Sequence, residues 1–109
     1  MVLELQDQTF DDFVKKNGLV LIDCWAPWCR PCRLLAPIIE ELAEEMKGTA
    51  AFAKLNTDEN QGVAARFRIN AIPTMLVFKN GLQFEPLVGL RDKKEIKDYL
   101  LKVLAWKQT

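Results

Sequence analysis

The sequence predicts an α/β fold in three layers, a central five-stranded mixed sheet flanked by four helices, and three observations carry that expectation. Two-residue and 3.6-residue apolar periods alternate along the whole chain, with no linker, repeat or low-complexity stretch between them. Leu19 to Trp25 is a nearly continuous apolar run rich in β-formers, the pattern of a central strand covered on both faces. Asn80-Gly81 stands between two strand-like segments, and Asn-Gly is the strongest short hairpin signal.

The elements follow in order. Val2 to Leu5 reads as a short strand, and Thr9 with Asp12 three residues on opens a first helix through Phe13 and Val14 that stops near Gly18. The apolar strand Leu19 to Trp25 comes next. After Cys32, Leu34, Leu35, Ile38, Ile39, Leu42 and Met46 keep helical spacing, so a long helix runs to about Gly48, kinked at Pro37. Ala50 to Leu55 is a strand, Glu59 to Phe67 a helix, and Thr74 to Lys79 the strand that enters the hairpin. Leu82 to Val88 returns antiparallel, and Pro86 assigns it to an edge. Asp92 and Glu95 cap the last helix, whose apolar face holds Ile96, Leu100, Val103 and Leu104. Strands separated by helices are expected to run parallel, with the hairpin adding an antiparallel pair.

At 109 residues the chain reads as one domain, 1–109, large enough to bury roughly two-thirds of its unfolded surface. Fifteen basic residues balance 15 acidic ones, which gives no electrostatic reason to expect nucleic acid or an anionic membrane as partner. The longest apolar stretches, such as Leu19 to Ile22 and Met75 to Phe78, fall far short of the roughly 20 residues of a spanning helix. The first residues lack the cationic and apolar regions of a secretory signal, so a cytoplasmic location is expected. With no histidine, mechanisms that need imidazole are excluded, leaving thiols, carboxylates, lysines and the tyrosine.

Three cysteines, Cys24, Cys29 and Cys32, crowd into nine residues, an odd number and too few for a secreted disulfide framework. Cys29 falls where a strand ends and a helix begins, where unpaired N–H groups and the positive end of the helix dipole stabilise a thiolate. Cys32 lies on the same helical face one turn deeper, close enough to close a small disulfide ring. A zinc site would need a second Cys or His pair, which is missing. The spacing Cys24-x4-Cys29-x2-Cys32 matches three of four ligands of a plant-type iron–sulfur loop, but the fourth is missing and bulky residues intervene. Inert buried cysteines remain the other reading, and a redox pair is the favoured one.

The run Asp23-Cys24-Trp25-Ala26-Pro27-Trp28-Cys29-Arg30-Pro31-Cys32, with Ala36-Pro37 after it and Ile72-Pro73-Thr74 later, resembles the thioredoxin family over essentially the full chain. The resemblance implies the thioredoxin fold, a dithiol–disulfide oxidoreductase and a cis Pro73 facing the disulfide, against the ordinary preference of X–Pro bonds for trans. Two departures stand out: Arg30 where the family usually has glycine, and Cys24 where it usually has an aromatic residue.

Asp23, set in an apolar strand, costs several kcal/mol to bury unpartnered. The resemblance implies that it takes the Cys32 proton; a strand-end cap is the plainer alternative. By resemblance Lys54 sits near Asp23 and modulates it, against a solvated lysine. Trp28 is expected as an exposed lid beside the disulfide, whereas Trp25 is at least as well explained by packing. Val88-Gly89-Leu90 could be an ordinary strand exit, but with Trp28 and Ala71-Ile72 it would form the apolar rim on which substrate backbones lie, and Pro31 and Pro73 are expected among the substrate-binding residues. If Arg30 lowered the Cys29 pKa by about one unit, the potential would move only about 20 mV, against roughly 90 mV between thioredoxin-like and isomerase-like couples. Its expected role is therefore the selection of partners with carboxylates near their disulfides, or none.

The function expected is reduction of protein disulfides through Cys29 and Cys32, an electron-transport step in cell redox homeostasis. No bound cofactor is needed, because electrons come from a thioredoxin-reductase-type donor, and a monomer is expected. An oxidant or isomerase of the same fold and a non-redox binding subunit are the competing readings.

Overall fold

The apolar run becomes the strand around which everything else is arranged. The computed structural model describes residues 1–107, as β1 (Val2–Leu5), α1 (Asp7–Lys16), β2 (Leu19–Trp25), α2 (Arg30–Glu45), β3 (Ala51–Asn56), α3 (Gln61–Arg66), β4 (Thr74–Lys79), β5 (Leu82–Val88) and α4 (Lys93–Ala105). The sheet order is β1-β3-β2-β4-β5, so β2 is central and is buried except at Trp25. Its side chains alternate between two cores. Leu19 and Leu21 pack with Leu35, Ile39 and Leu42 of α2 and with Ile96, Leu100 and Val103 of α4. Val20, Ile22 and Cys24 pack with Phe10, Phe13 and Val14 of α1 and Val63 of α3.

One expectation about direction is overturned. The strands β1, β3 and β2 are parallel, but β4 runs antiparallel to β2 although a helix precedes it. The reason is length. The six residues of α3 span about 9 Å, whereas the six of β3 span about 20 Å, so α3 cannot carry the chain back along the sheet. The chain re-enters at the end where β2 and β3 finish, and Thr74 pairs with Cys24.

Smaller corrections concern helix faces and starts. The first helix begins at Asp7, not after Thr9: Gln6 is the N-cap, and its N–H donates to Thr9 Oγ1 at 3.0 Å, so Thr9 acts from the third helical position. Leu34 and Leu104, placed by spacing on apolar faces, are 49% and 39% exposed. Each adjoins the buried stripe without entering it, because the sheet covers a narrower arc of each helix than the run of leucines spans. The long second helix spans Pro37 without a break, Asp92 Oδ1 accepts from Glu95 N–H at 2.8 Å as the cap pair requires, and Asn80 and Gly81 both take the positive φ that a tight hairpin requires. The edge strand β5 has its register irregularity around Pro86, between the Phe84 and Leu87 pairings.

On the Cys24 side, α3 is tied to α1 by a side-chain cap. Asp7 accepts from Gly62 N–H at 3.0 Å and Val63 N–H at 2.9 Å, while its own N–H donates to Asn60 Oδ1 at 2.9 Å. Phe10, Phe67 and Phe78 form an aromatic triangle behind it, with ring centroids 5.2 to 5.9 Å apart.

Candidate active site

Because β4 enters at the pole where β2 ends, three chain segments converge there. The loop after β2 delivers Cys29, which is the N-cap of α2, and Cys29 N–H donates to Ala26 O at 3.1 Å. Cys29 and Cys32 are joined as a disulfide with a Cα–Cα distance of 5.3 Å. Cys29 Sγ accepts from Cys32 N–H at 3.2 Å, so the sulfur sits where the first turn presents its unpaired N–H groups. Opposite it, the peptide bond between Ile72 and Pro73 is cis, and Ile72 O lies 3.8 Å from Cys29 Sγ. Pro73 O in turn accepts from Gly89 N–H at 2.8 Å.

Around the disulfide, Arg30 and Pro31 are exposed and Trp28 is 69% exposed. The indole is held: Trp28 Nε1 donates to Asp58 Oδ2 at 3.0 Å, and Asp58 N–H donates to Asn56 Oδ1 at 2.9 Å. A shallow apolar cleft of about 200 Å³, lined by Trp28, Ile69, Ala71 and Ile72 among others, opens beside it. A larger cleft of about 490 Å³ lies away from the sulfurs, between α1, β1 and the end of α2.

Asp23 lies on β2 two residues before its site end, on the face that α2 and α4 cover. It is 4% exposed, its Oδ1 has no hydrogen-bond partner, and burial pushes its pKa from 3.8 up to about 7, with Lys54 opposing the rise. Lys54 is the register partner of Asp23 on β3. Its ammonium lies 3.9 Å from Glu4 Oε2 and 5.5 Å from the centre of the Trp25 ring. The half-buried Trp25 thus serves as wall and cation platform beneath the site.

Cys24 lies apart from the other two sulfurs. It is fully buried among the α1 and α3 residues and is a free thiol, whereas Cys29 and Cys32 pack with Ala26 and Ile72. Burial, with the neighbouring Asp23 charge, pushes its pKa far above that of an ordinary thiol.

All ten residues singled out from the sequence thus fall at this pole or directly behind it. Residues that the sequence reading missed are Asp58, which holds Trp28 from 30 positions away, Arg33, whose Nη1 donates to Pro27 O at 2.9 Å, and Glu4. Only Glu4 carried a signal, as a charge inside a short apolar strand.

A disulfide bridging the N-cap and the first turn of a helix, with a cis proline across from it at the end of a mixed sheet, defines a thiol–disulfide oxidoreductase. The thioredoxin family model matches residues 1–102. An M-type chloroplastic thioredoxin of Spinacia oleracea is 44% identical over 105 residues, 95% of this chain, which spans 58% of that protein's length. A thioredoxin of Staphylococcus saprophyticus is 40% identical over 103 residues, 94% of this chain and 98% of that one. Among solved structures, a mutant thioredoxin from Halobacterium salinarum matches with a TM-score of 0.88 at 39% identity, covering 97% of this chain and 93% of that one. The chain belongs to the thioredoxin family, as a thioredoxin-type disulfide reductase with Cys29 and Cys32 as its CXXC pair.

Proposed function

We propose that the whole chain, 1–109, is a single domain that reduces protein disulfides with Cys29 as attacking thiolate and Cys32 as resolving thiol. The observation that carries the order is the N-cap position of Cys29, whose Sγ receives the Cys32 N–H at 3.2 Å. In the reduced protein, Cys29 thiolate attacks one substrate sulfur; the substrate S–S bond breaks, a mixed disulfide forms, and the departing thiolate takes up a proton. Cys32 then gives its proton to the Asp23 carboxylate and attacks Cys29 Sγ. The mixed disulfide breaks, the second substrate thiolate leaves, and the Cys29–Cys32 bond forms. Two electrons have passed to the substrate, and a thioredoxin-reductase-type donor returns them.

Trp28, Ile72, Pro73 and Gly89 are the surface on which an extended substrate segment lies, with Pro31 at its edge, and Lys54 adjusts Asp23. Arg30 makes this a Cys-Arg-Pro-Cys variant of the site. Its exposure at the mouth of the disulfide, without an ion-pair partner among the described residues, supports a preference for disulfides flanked by carboxylates. Among the described residues no helix is long and apolar enough to cross a membrane. A disulfide reductase needs a compartment that keeps thiols reduced, and the cytoplasm is the one we propose. We read the working form as a monomer.

The test is a pair of variants offered a protein disulfide. Cys29→Ser should abolish reduction, and Cys32→Ser should accumulate a covalent adduct. A stable adduct on Cys32 in the Cys29→Ser protein, found by peptide mass spectrometry, would reverse the order of attack.

A further inference from the structure

Three ionisable side chains form one row across the sheet. The register sets Glu4 of β1 opposite Lys54 of β3, and Lys54 opposite Asp23 of β2. Register partners project to the same face of a sheet, here the one covered by α2 and α4, since Val2 and Phe52, two residues before Glu4 and Lys54, pack in that core. The row runs from solvent inward: the Glu4 and Lys54 side chains are 59% and 39% exposed, and Asp23 is 4% exposed. Two carboxylates thus flank one cation, and the outer one holds it. The Lys54 ammonium is 3.9 Å from Glu4 Oε2 and rests over the Trp25 ring at 5.5 Å, while it makes no ion pair or hydrogen bond with Asp23 among the described residues.

We propose that Glu4 is a positioning residue of the redox site: it draws the Lys54 ammonium toward the sheet edge and so keeps that cation from pinning Asp23 in its ionised form.

The surroundings of Asp23 leave little else to set its charge. On β4 its register partner is Met75. The face of the sheet that carries it is covered by apolar Leu35 and Ile39 of α2 and Ile96, Leu100 and Val103 of α4, and the two cysteines at the start of α2 are joined as a disulfide and do not titrate. The neighbouring thiol of Cys24 points to the opposite core. Lys93 and Lys97 of α4 are engaged with Glu45. Lys54 is therefore the cation that bears on Asp23, and Glu4 is the group that decides how closely. A cation released from Glu4 would move toward the unpartnered Asp23 Oδ1, where low polarity strengthens its pull, and the loss of the Glu4 charge acts in the same direction. Both make Asp23 a weaker base.

The kinetic consequence rests on the reading of Asp23 as acceptor of the Cys32 proton; the titration itself does not. The experiment follows the Asp23 carboxyl by carbon-13 NMR in the wild type, Glu4→Gln, Lys54→Met and the double variant, and measures the pH profile of mixed-disulfide resolution in each. Glu4→Gln should lower the Asp23 midpoint by about 0.5 to 1 pH unit, and by less than half of that in the Lys54→Met background. The acid limb of resolution should move with it. A midpoint that stays put or rises in Glu4→Gln overturns the proposal, as does an equal shift in both backgrounds, which would mean that Glu4 acts without Lys54. A midpoint that falls while the rate profile stays fixed would support the role of Glu4 and refute Asp23 as proton acceptor. Glu4 is exposed, so the single variant tests the idea without threatening the core.

Discussion

Asp23 and Cys24 are chain neighbours on the same central strand, both buried, both ionisable, and the fold gives them opposite fates. Alternation along β2 turns Asp23 toward α2 and α4, with a cation one strand away, and turns Cys24 into a dry core of Phe10, Phe13, Val63 and Leu76. Burial raises both pKa values. For Asp23 the result is about 7, where a proton can be exchanged in neutral solution, whereas the Cys24 thiol is pushed out of reach of any thiolate chemistry. The same burial thus leaves a carboxyl that titrates in the neutral range and a thiol that does not ionise there, because the two groups start from different pKa values and a cation opposes the rise only at Asp23.

The largest expected effect breaks the comparison on the Asp23 side. Its folded pKa is about 7 against 3.8 unperturbed, so between those values the folded state holds a proton that the unfolded state has released. Stability is therefore lost as pH rises through that window, by about 4 kcal/mol in all, and the loss levels off above it. Asp23→Asn abolishes this titration. Its stability advantage over the wild type should grow from pH 4 to 7 and then plateau in urea unfolding series, while resolution of the mixed disulfide slows about 100-fold. A pH-independent stability difference would show that Asp23 is not ionised at a cost, and an unchanged rate across pH 6 to 9 would remove it from proton transfer.

On the other face, changes should move stability and leave chemistry alone. A Cβ on Gly62 would lie 2.8 Å from Asp7 Oδ2 and displace the carboxylate that caps α3. Gly62→Ala should cost about 2 kcal/mol, read as a lower urea midpoint, with disulfide reduction unaltered. Loss of activity at full stability would break the division between the two faces.

The smallest effect concerns Cys24 itself. Cys24→Ala should cost about 1 kcal/mol as a lost buried contact, with normal turnover. In the native oxidised wild type a thiol reagent should label nothing, and one thiol once denaturant is added. Rapid native labelling, or a bridge from Cys24 to Cys29 or Cys32, would bring this sulfur into the chemistry.

That β2 is central and covered on both faces was legible in the sequence, from the apolar run Leu19 to Trp25, but which core Asp23 and Cys24 each enter is set by the packing of α2 and α4 on one face and α1 and α3 on the other. The helix start at Cys29 was legible too, through the change of period after Trp28. The direction of β4 was not, since order alone does not reveal that α3 is too short to span the sheet, and that shortness is what brings Pro73 against Cys29. Asp58 was hidden for a different reason, since its partner Trp28 lies 30 residues away, and although Glu4 stood out as a charge in a short apolar strand, nothing local pointed to its partner Lys54, 50 residues on.

At the pole farthest from the disulfide, Lys79 Nζ donates to Leu104 O at 2.7 Å and Trp106 O at 2.6 Å, pinning the last turn of α4 to the end of β4. Lys79 stands five residues along β4 from Thr74, so roughly 17 Å of extended chain separates it from the strand end that follows Pro73. A tether, affinity handle or solid support joined behind α4 therefore leaves the molecule on the side away from incoming disulfides. Immobilised through that end, the protein should reduce substrates in a column as readily as it does in free solution.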